Sequence, residues 1–261
     1  MKTRAIAIIN QKGGSGKTTT AVNLGACLAQ LGKKILLVDI DPQAHATIHL
    51  GLKPYELEST IYDVLINSHL VDKTITQTLL RDLEILPSHI DLSGAEIELV
   101  NIVGREGRLK DSLRDLKGKY DYILIDCPPS LGLLTLNALN AAEEIFIPIQ
   151  TEFFALEGVT KLLQTINIVR GRLNKGVKIG GILLTIFDRR KNICKDVAQK
   201  VEEIFPGKVF KTRIRDNVKL AEAPSYGEPI ILYSPHSYGS LDYQKLAKEV
   251  IFYGKKDRFR R

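Results

Sequence analysis

Blocks of apolar and polar residues follow one another along this chain and predict strands and helices in turn. Several blocks are short runs of aliphatic side chains bounded by charged residues, such as those at residues 35–38 and 123–125. A continuous apolar run of this length is typical of a strand that is buried on both faces of a sheet. The runs predict strands at residues 5–10, 34–40, 83–86, 120–126, 144–149, 178–185 and 208–210.

The segments between these strands carry the three- and four-residue apolar spacing of helices. In the first of them Leu24, Leu28 and Leu31 share one face, and Gly32 follows as a helix-ending residue. The spacing predicts helices at residues 18–31, 61–66, 71–80, 92–103, 105–116, 133–142, 155–173, 192–205 and 240–253, the last ending at Gly254. Strands separated by helices indicate an α/β fold, a mostly parallel twisted sheet flanked by helices on both faces.

Length and composition place the chain among one-domain proteins. Of its 261 residues 44% are hydrophobic, and no linker-like segment interrupts them, so we expect one domain over residues 1–254 and a basic tail over residues 255–261. No apolar stretch approaches the ~20 residues of a membrane-spanning helix, and no signal-peptide pattern precedes the first strand. The three cysteines show no metal-binding spacing. These features favour a cytoplasmic protein.

A glycine-rich turn joins the first predicted strand to the first predicted helix. Strand, turn and helix N-terminus together aim several backbone N–H groups at one point, an arrangement that binds phosphate. Lys17 is placed to reach the β- and γ-phosphates, and the Thr18 hydroxyl is placed to ligate Mg²⁺. The sequence therefore predicts that a nucleotide is bound by Lys12, Gly13, Gly14, Ser15, Gly16, Lys17, Thr18 and Thr19.

Acidic residues end two other predicted strands. Asp39 and Asp41 lie two residues apart at the end of the second strand, where alternate side chains share a face. Asp126 ends the buried run at 122–125 in the manner of a Walker B element, whose carboxylate holds Mg²⁺ directly or through water. Because ligands of parallel sheets bind at the carboxyl ends of the strands, we expect these acids beside the glycine-rich turn, with Asp39, Asp126 and Thr18 as metal residues.

The glycine-rich turn departs from the general phosphate-binding pattern, because Gln11 replaces its first glycine and Lys12 is an additional lysine. This variant resembles the deviant Walker A motif of the ParA/MinD/nitrogenase iron-protein class of ATPases. The resemblance implies an ATP-dependent homodimer in which Lys12 of each subunit reaches the nucleotide of the other. It also makes Lys12, Lys17 and Asp41 the catalytic residues, with Asp41 activating the attacking water in an Asp-x-Asp-Pro-Gln element.

Two further segments, residues 151–158 and 217–225, look like the ParA/Soj chromosome- and plasmid-partitioning ATPases and unlike MinD. That resemblance implies ATP hydrolysis with Mg²⁺, binding of nonspecific double-stranded DNA by the ATP-bound dimer, release on hydrolysis, and association with the nucleoid. It also implies stimulation by a ParB-like centromere-binding protein, and adenine contacts from Arg215 and Asn217. Two positions depart from the family pattern: His45 stands in place of an asparagine, and Asp216 in place of an arginine used for DNA binding.

Charge supports a polyanionic partner. The net charge is +7, and more than half of it lies in the last seven residues, of which five are basic and one is acidic. Basic side chains that contact phosphates without reading bases give sequence-independent, salt-sensitive binding. The candidates for DNA binding are Arg189, Arg190, Lys191, Arg213, Arg215, Lys219, Lys245 and Lys248.

Three other functions stay open at the sequence level. A MinD-like membrane switch is suggested by the apolar segment at 250–253 before a basic tail, although Gly254 is expected to stop that helix. An iron-protein reductase would need cysteines that bridge a cluster between subunits, and only Cys127 lies near the predicted site. An amidotransferase-like ligase would respond to a small metabolite and not to DNA.

Overall fold

The computed structural model describes residues 3–67, 70–152 and 157–258. Within them a seven-stranded sheet has the order β3-β4-β2-β5-β1-β6-β7. Its pairings are parallel except that of β3 with β4. The predicted α/β fold class is therefore confirmed. The strands are β1 Arg4–Ile8, β2 Ile35–Asp39, β3 Thr76–Gln77, β4 Leu83–Leu86, β5 Tyr122–Asp126, β6 Glu144–Gln150 and β7 Lys178–Thr185.

Twelve α-helices cover the sheet in the described part of the chain. Short 3₁₀ turns supplement them between residues 54 and 226. The helices are α1 Lys17–Gln30, α2 His45–His49, α3 Ile61–Leu65, α4 Val71–Thr74, α5 Leu92–Glu98, α6 Arg108–Ser112, α7 Leu133–Ala141, α8 Glu157–Arg172, α9 Asn192–Ile204, α10 Val218–Glu222, α11 Ile230–Tyr233 and α12 Tyr238–Arg258.

Several predicted elements differ from the observed ones. The helix expected over 71–80 ends at Thr74, because Thr76 and Gln77 pair with β4 as an edge strand. The segments 92–103 and 105–116 each break into a short helix and 3₁₀ turns. The expected strand at 208–210 is a single bridge, from Val209 to Ile182. The predicted start of α8 at 155 and the last three residues of the tail lie outside the described residues.

The end predicted for the last helix at Gly254 is wrong, because α12 continues to Arg258. Gly254 instead permits a close approach: a Cβ there would lie 2.5 Å from Arg4 Nη1. That guanidinium donates to the Val250 carbonyl at 2.8 Å and forms a paired contact with the Glu144 carboxylate at 2.9 and 3.0 Å. Arg4 therefore ties α12 to the sheet.

Alternate residues of a strand belong to two separate hydrophobic cores, one on each face of the sheet. Ala5 and Ala7 of β1 belong to one cluster, whereas Ile6 and Ile8 belong to the other. On the second face α1 packs between the sheet and α12, and the buried Thr20 and Tyr243 hydroxyls share a 3.1 Å hydrogen bond. Helices therefore cover both faces, and the ends of the strands remain for a site. No helix within the described ranges is long and apolar enough to cross a bilayer.

Candidate functional site

The glycine-rich turn connects β1 to α1 with backbone geometry suited to an anion. Gly16 takes a left-handed conformation (φ 87°) at the N-cap of α1, and Gly14 does so earlier in the turn (φ 70°). Neither a capping side chain from a described residue nor an acid in the first turn occupies the helix N-terminus. Its N–H groups and the positive end of the helix dipole are therefore free for phosphate.

Lys17 extends from this helix into the site. Its side chain is buried, and Nζ donates to the Lys12 carbonyl at 3.3 Å. Burial lowers the pKa of Lys17, and the nearby Asp126 and Asp41 carboxylates oppose that shift. A buried ammonium between two acids is a strong local positive charge that a triphosphate can share.

Asp126 meets the requirement for a magnesium residue. It is fully buried, and neither carboxylate oxygen has a well-formed hydrogen bond from any described residue. Burial, with a contribution from Asp39, raises the pKa of Asp126, whereas the Thr18 hydroxyl beside it lowers it. An orphaned buried carboxylate next to a hydroxyl fits Mg²⁺, which uses one or two protein ligands with water and phosphate. No cluster of three His, Cys, Asp or Glu side chains competes for a metal in the described ranges.

Asp39 organises the loop that carries Asp41. Its Oδ1 accepts from the Asp41 N–H at 3.2 Å, and its Oδ2 accepts from the N–H and hydroxyl of Thr47 at 2.9 and 2.8 Å. The Ser88 hydroxyl donates to the Asp41 carbonyl at 2.7 Å. These contacts fix the backbone of Asp41 at the carboxyl edge. Asp39 itself lies beside Asp126 in the register of β2 with β5. Both carboxylate oxygens of Asp39 already accept hydrogen bonds. Magnesium ligation by Asp39 stays a prediction.

Ala44 occupies a backbone position that favours glycine. It has φ 52° at the N-cap of α2, where the chain turns after Asp41, and its methyl group is buried. We expect Ala44→Val to lower the free energy of unfolding by ~2–3 kcal/mol, because a β-branched residue is strained in this conformation and the added methyl groups would enter a buried position.

The matched variant is Ala44→Gly. It relieves the backbone strain, but it loses a buried methyl group and raises the conformational entropy of the unfolded chain. It should stay within about 1 kcal/mol of the parent. Urea unfolding followed by circular dichroism checks both variants. Equal stability of Ala44→Val and the parent would show that the left-handed turn is not needed.

Lys12 has a partner that the sequence did not reveal. Its Nζ donates to Glu152 Oε2 at 2.9 Å, and both side chains are partly exposed. Glu152 also accepts from the Gln150 amide. Thus Lys12 stands at the surface edge of the site, whereas Lys17 fills its interior. The only sign of this pairing in the sequence was the position of Glu152, two residues after the end of β6.

The two residues expected at adenine have protein partners. The Arg215 guanidinium donates to the buried Asp242 carboxylate at 2.7 and 2.9 Å and stacks over Tyr238, 4.1 Å from the ring centroid. Asn217 caps α10, accepting from the Lys219 N–H at 2.9 Å. These contacts order the segment, and its contact with adenine stays a prediction.

The basic candidates divide into paired and unpaired side chains. Four of them bind neighbouring acids: Arg190 with Asp188, Arg213 with Glu202, Arg215 with Asp242, and Lys219 with Glu222. The others, Arg189, Lys191, Lys245 and Lys248, form no ion pair with any described residue.

A cleft of about 970 Å³ collects part of this set. Arg189 and Lys245 line it together with Lys211, which forms no ion pair with a described residue and was not among the candidates from the sequence. Lys211 comes just after the bridge residue Val209, and nothing in its own spacing marks it. Asp216, at the position where an arginine was expected, lines the same cleft.

Comparison with known proteins adds to this geometry. Residues 3–179 match a family described as an AAA domain. The chain is 53% identical over 247 residues to the sporulation initiation inhibitor protein Soj of Bacillus subtilis, over 95% of this chain and 98% of that protein. It is 50% identical over 248 residues to the chromosome partitioning protein ParA of Myxococcus xanthus, over 95% and 88%. The structure of cobyrinic acid a,c-diamide synthase from Mycobacterium smegmatis, with bound ATP analog and magnesium, has TM-score 0.86 and 36% identity, over 97% of this chain and 96% of that one.

Proposed function

Because the chain belongs to the Soj/ParA family of chromosome-partitioning proteins, we propose that it is an ATPase that segregates DNA. Two ATP-bound subunits form a homodimer, the dimer binds nonspecific double-stranded DNA, and hydrolysis releases it. A ParB-like protein stimulates that hydrolysis. The observation that carries the proposal is that two lysines lie at different depths of the site: Lys17 is buried inside it, and Lys12 lies at its exposed edge.

The nucleotide step uses groups already described. The turn around Gly14 and Gly16 and the N-terminus of α1 hold the phosphates, and Lys17 shares their charge. Thr18 and Asp126 would hold Mg²⁺, which would supply positive charge against the phosphates of the nucleotide. Asp41 orients the attacking water and accepts its proton as the water oxygen bonds to the γ-phosphorus. The bond from that phosphorus to the bridging oxygen breaks, so that ADP leaves and phosphate remains.

Dimerisation then depends on Lys12. Its ammonium must leave Glu152 before it can reach another subunit's phosphates, so the intramolecular pair competes with association. An exposed ion pair is worth only about 0–1 kcal/mol, and a triphosphate carries far more negative charge than one carboxylate. ATP can therefore draw Lys12 away, and loss of the γ-phosphate weakens that attraction again.

DNA binding is assigned to the cleft lined by Arg189, Lys211 and Lys245. These cations contact phosphates without first breaking an ion pair, and pairing two subunits doubles their number on one surface. Such binding would hold the protein at the nucleoid in the cytoplasm. One ATPase domain over residues 1–254 suffices for this cycle.

Removing two of these cations tests the DNA surface. We expect Lys211→Ala/Lys245→Ala to bind random-sequence duplex with ATP at least about tenfold more weakly, and to lower the slope of log affinity against log salt by about 2 per subunit. The matched control is Lys117→Ala/Lys175→Ala, two exposed lysines in loops that enter β5 and β7 from the opposite edge of the sheet. Fluorescence anisotropy measures both. An equal loss in the two double variants would show that only net charge matters.

One observation favours a second candidate, a MinD-like membrane switch. The helix end that was expected at Gly254 is absent, because α12 continues past this residue, and an amphipathic helix can therefore extend into the basic segment. Phe252 on this helix is 55% exposed. Co-sedimentation with anionic liposomes in the presence of ATP tests this candidate. Strong binding that requires residues 255–261 would favour the membrane function over DNA.

A further inference from the structure

Glu96 on α5 has a buried carboxylate oxygen with no donor. Its Oε1 is excluded from water and receives no hydrogen bond from any described residue. That oxygen lies against Gly132: a Cβ built on Gly132 would stand 1.9 Å from Oε1 and 2.9 Å from Cδ of Glu96. Any other side chain at residue 132 would therefore have to displace the Glu96 carboxylate.

Gly132 has a specific place in the fold. It is the N-cap of α7 and ends the loop that follows Asp126 of β5. No described side chain caps α7, since the nearby Thr135 hydroxyl donates to the Ser130 carbonyl at 2.6 Å. The first-turn N–H groups of α7 therefore lack a capping acceptor, and a carboxylate at a helix N-terminus is electrostatically favourable.

The loop over residues 127–132 thus has an unsatisfied buried carboxylate at each end. Asp126 stands at its start with both oxygens unpaired, and Glu96 stands at its finish with one. Buried acceptors without donors are costly, and native structures keep few of them. An acceptor left unpaired in one arrangement of a loop can be satisfied in another. The uncapped N–H groups at the start of α7 lie at the Glu96 end of this loop, because Gly132 is the N-cap of α7 and lies against the Glu96 carboxylate.

We propose that Glu96 is a positioning residue for this loop: it accepts a backbone N–H at the start of α7 when nucleotide and Mg²⁺ engage Asp126. This inference rests on the proposed ATPase function. Glu96 does not touch the nucleotide; it fixes the far end of the loop, so that the Asp126 end stays in its hydrolytic position. The charge of Glu96 matters as well as its size, because the helix N-terminus favours a carboxylate over an amide.

The test is a double-mutant cycle between the two residues. Gly132→Ala and Glu96→Ala should each lower kcat by about fivefold and change KM for ATP by less than about twofold, and the double variant should be no slower than the slower single one. Glu96→Gln, which keeps the size, should also be slower. Glu98→Gln on the same helix, where the carboxylate accepts from the exposed Tyr62 hydroxyl, is the matched control and should keep the parent rate.

Amide hydrogen exchange supplies a readout besides turnover. ATP with Mg²⁺ should slow exchange of residues 127–135 in the parent, and Glu96→Gln should remove that protection while still binding ATP. Parent-like kcat and protection in Glu96→Gln, or single effects that simply multiply in the double variant, would overturn the proposal. A parent chain that binds and hydrolyses no ATP would instead refute the proposed function, and the role of Glu96 with it.

Discussion

Asp41→Ala is expected to bind ATP like the parent chain and to hydrolyse it at least about a hundredfold more slowly, the usual contribution of a general base. Asp41 is almost fully buried at the carboxyl edge, its backbone is held by Asp39 and Ser88, and its Oδ1 accepts from the Gln43 N–H at 3.0 Å. These contacts hold Asp41 at this edge, and none of them involves the glycine-rich turn.

Asp41→Asn is the matched variant, because it keeps the shape and the contact with Gln43 but cannot take a proton. It should be as slow as Asp41→Ala, and both should accumulate ATP-bound dimers on a sizing column. Phosphate release with Mg²⁺ is the measurement. Turnover at the parent rate in Asp41→Asn would assign water activation to another group.

Lys12→Ala is expected to lose ATP-dependent dimerisation and about a hundredfold or more of the hydrolysis rate, while ATP affinity stays within about threefold of the parent. Lys12 Nζ points to Glu152 at the exposed edge, and the interior of the site is served by Lys17. Removing Lys12 therefore leaves the phosphate cradle of its own subunit intact and removes the charge offered to the other subunit.

Glu152→Gln separates this role from a local structural one. It frees Lys12 without removing it, so we expect dimers to form at the same ATP concentration as in the parent or at a lower one. The decrease in that concentration should be no more than about fivefold, because the ion pair is exposed. Light scattering coupled to size exclusion reports both variants. If Lys12→Ala formed ATP-dependent dimers as the parent does, the proposed contact of Lys12 with the nucleotide of the other subunit would be ruled out.

The predictable part of this fold was local in sequence. β2, β5 and β7 are apolar runs bounded by charge, and their predicted and observed positions agree within two residues at each end. The glycine-rich turn was also predictable, because its function depends on the spacing of neighbouring residues. Elements decided by distant contacts were missed: Thr76 belongs to an edge strand only because β4 lies beside it, and Gly254 stays helical only because Arg4 packs against it.

In the site, too, the sequence predicted features that depend on neighbouring residues and missed contacts between distant ones. The acids Asp39, Asp41 and Asp126 were found because strand ends of a parallel sheet converge at one edge. Glu152 and Asp242 were not, since each meets its basic partner from far along the chain. Periodicity and spacing report which residues share an element, and they do not report which acids neutralise which cations across elements. The proposal of DNA binding therefore rests on those cations that form no ion pair with a described residue, and the sequence alone could not identify them.

Nucleotide-gated DNA binding is the central claim, and one titration tests it most directly. The Asp41→Ala protein is mixed with random-sequence duplex in ATP, in ADP and without nucleotide, across a series of salt concentrations. We expect tight binding with ATP alone, falling steeply as salt rises. Equal binding in all three states, or none in any of them, would contradict it.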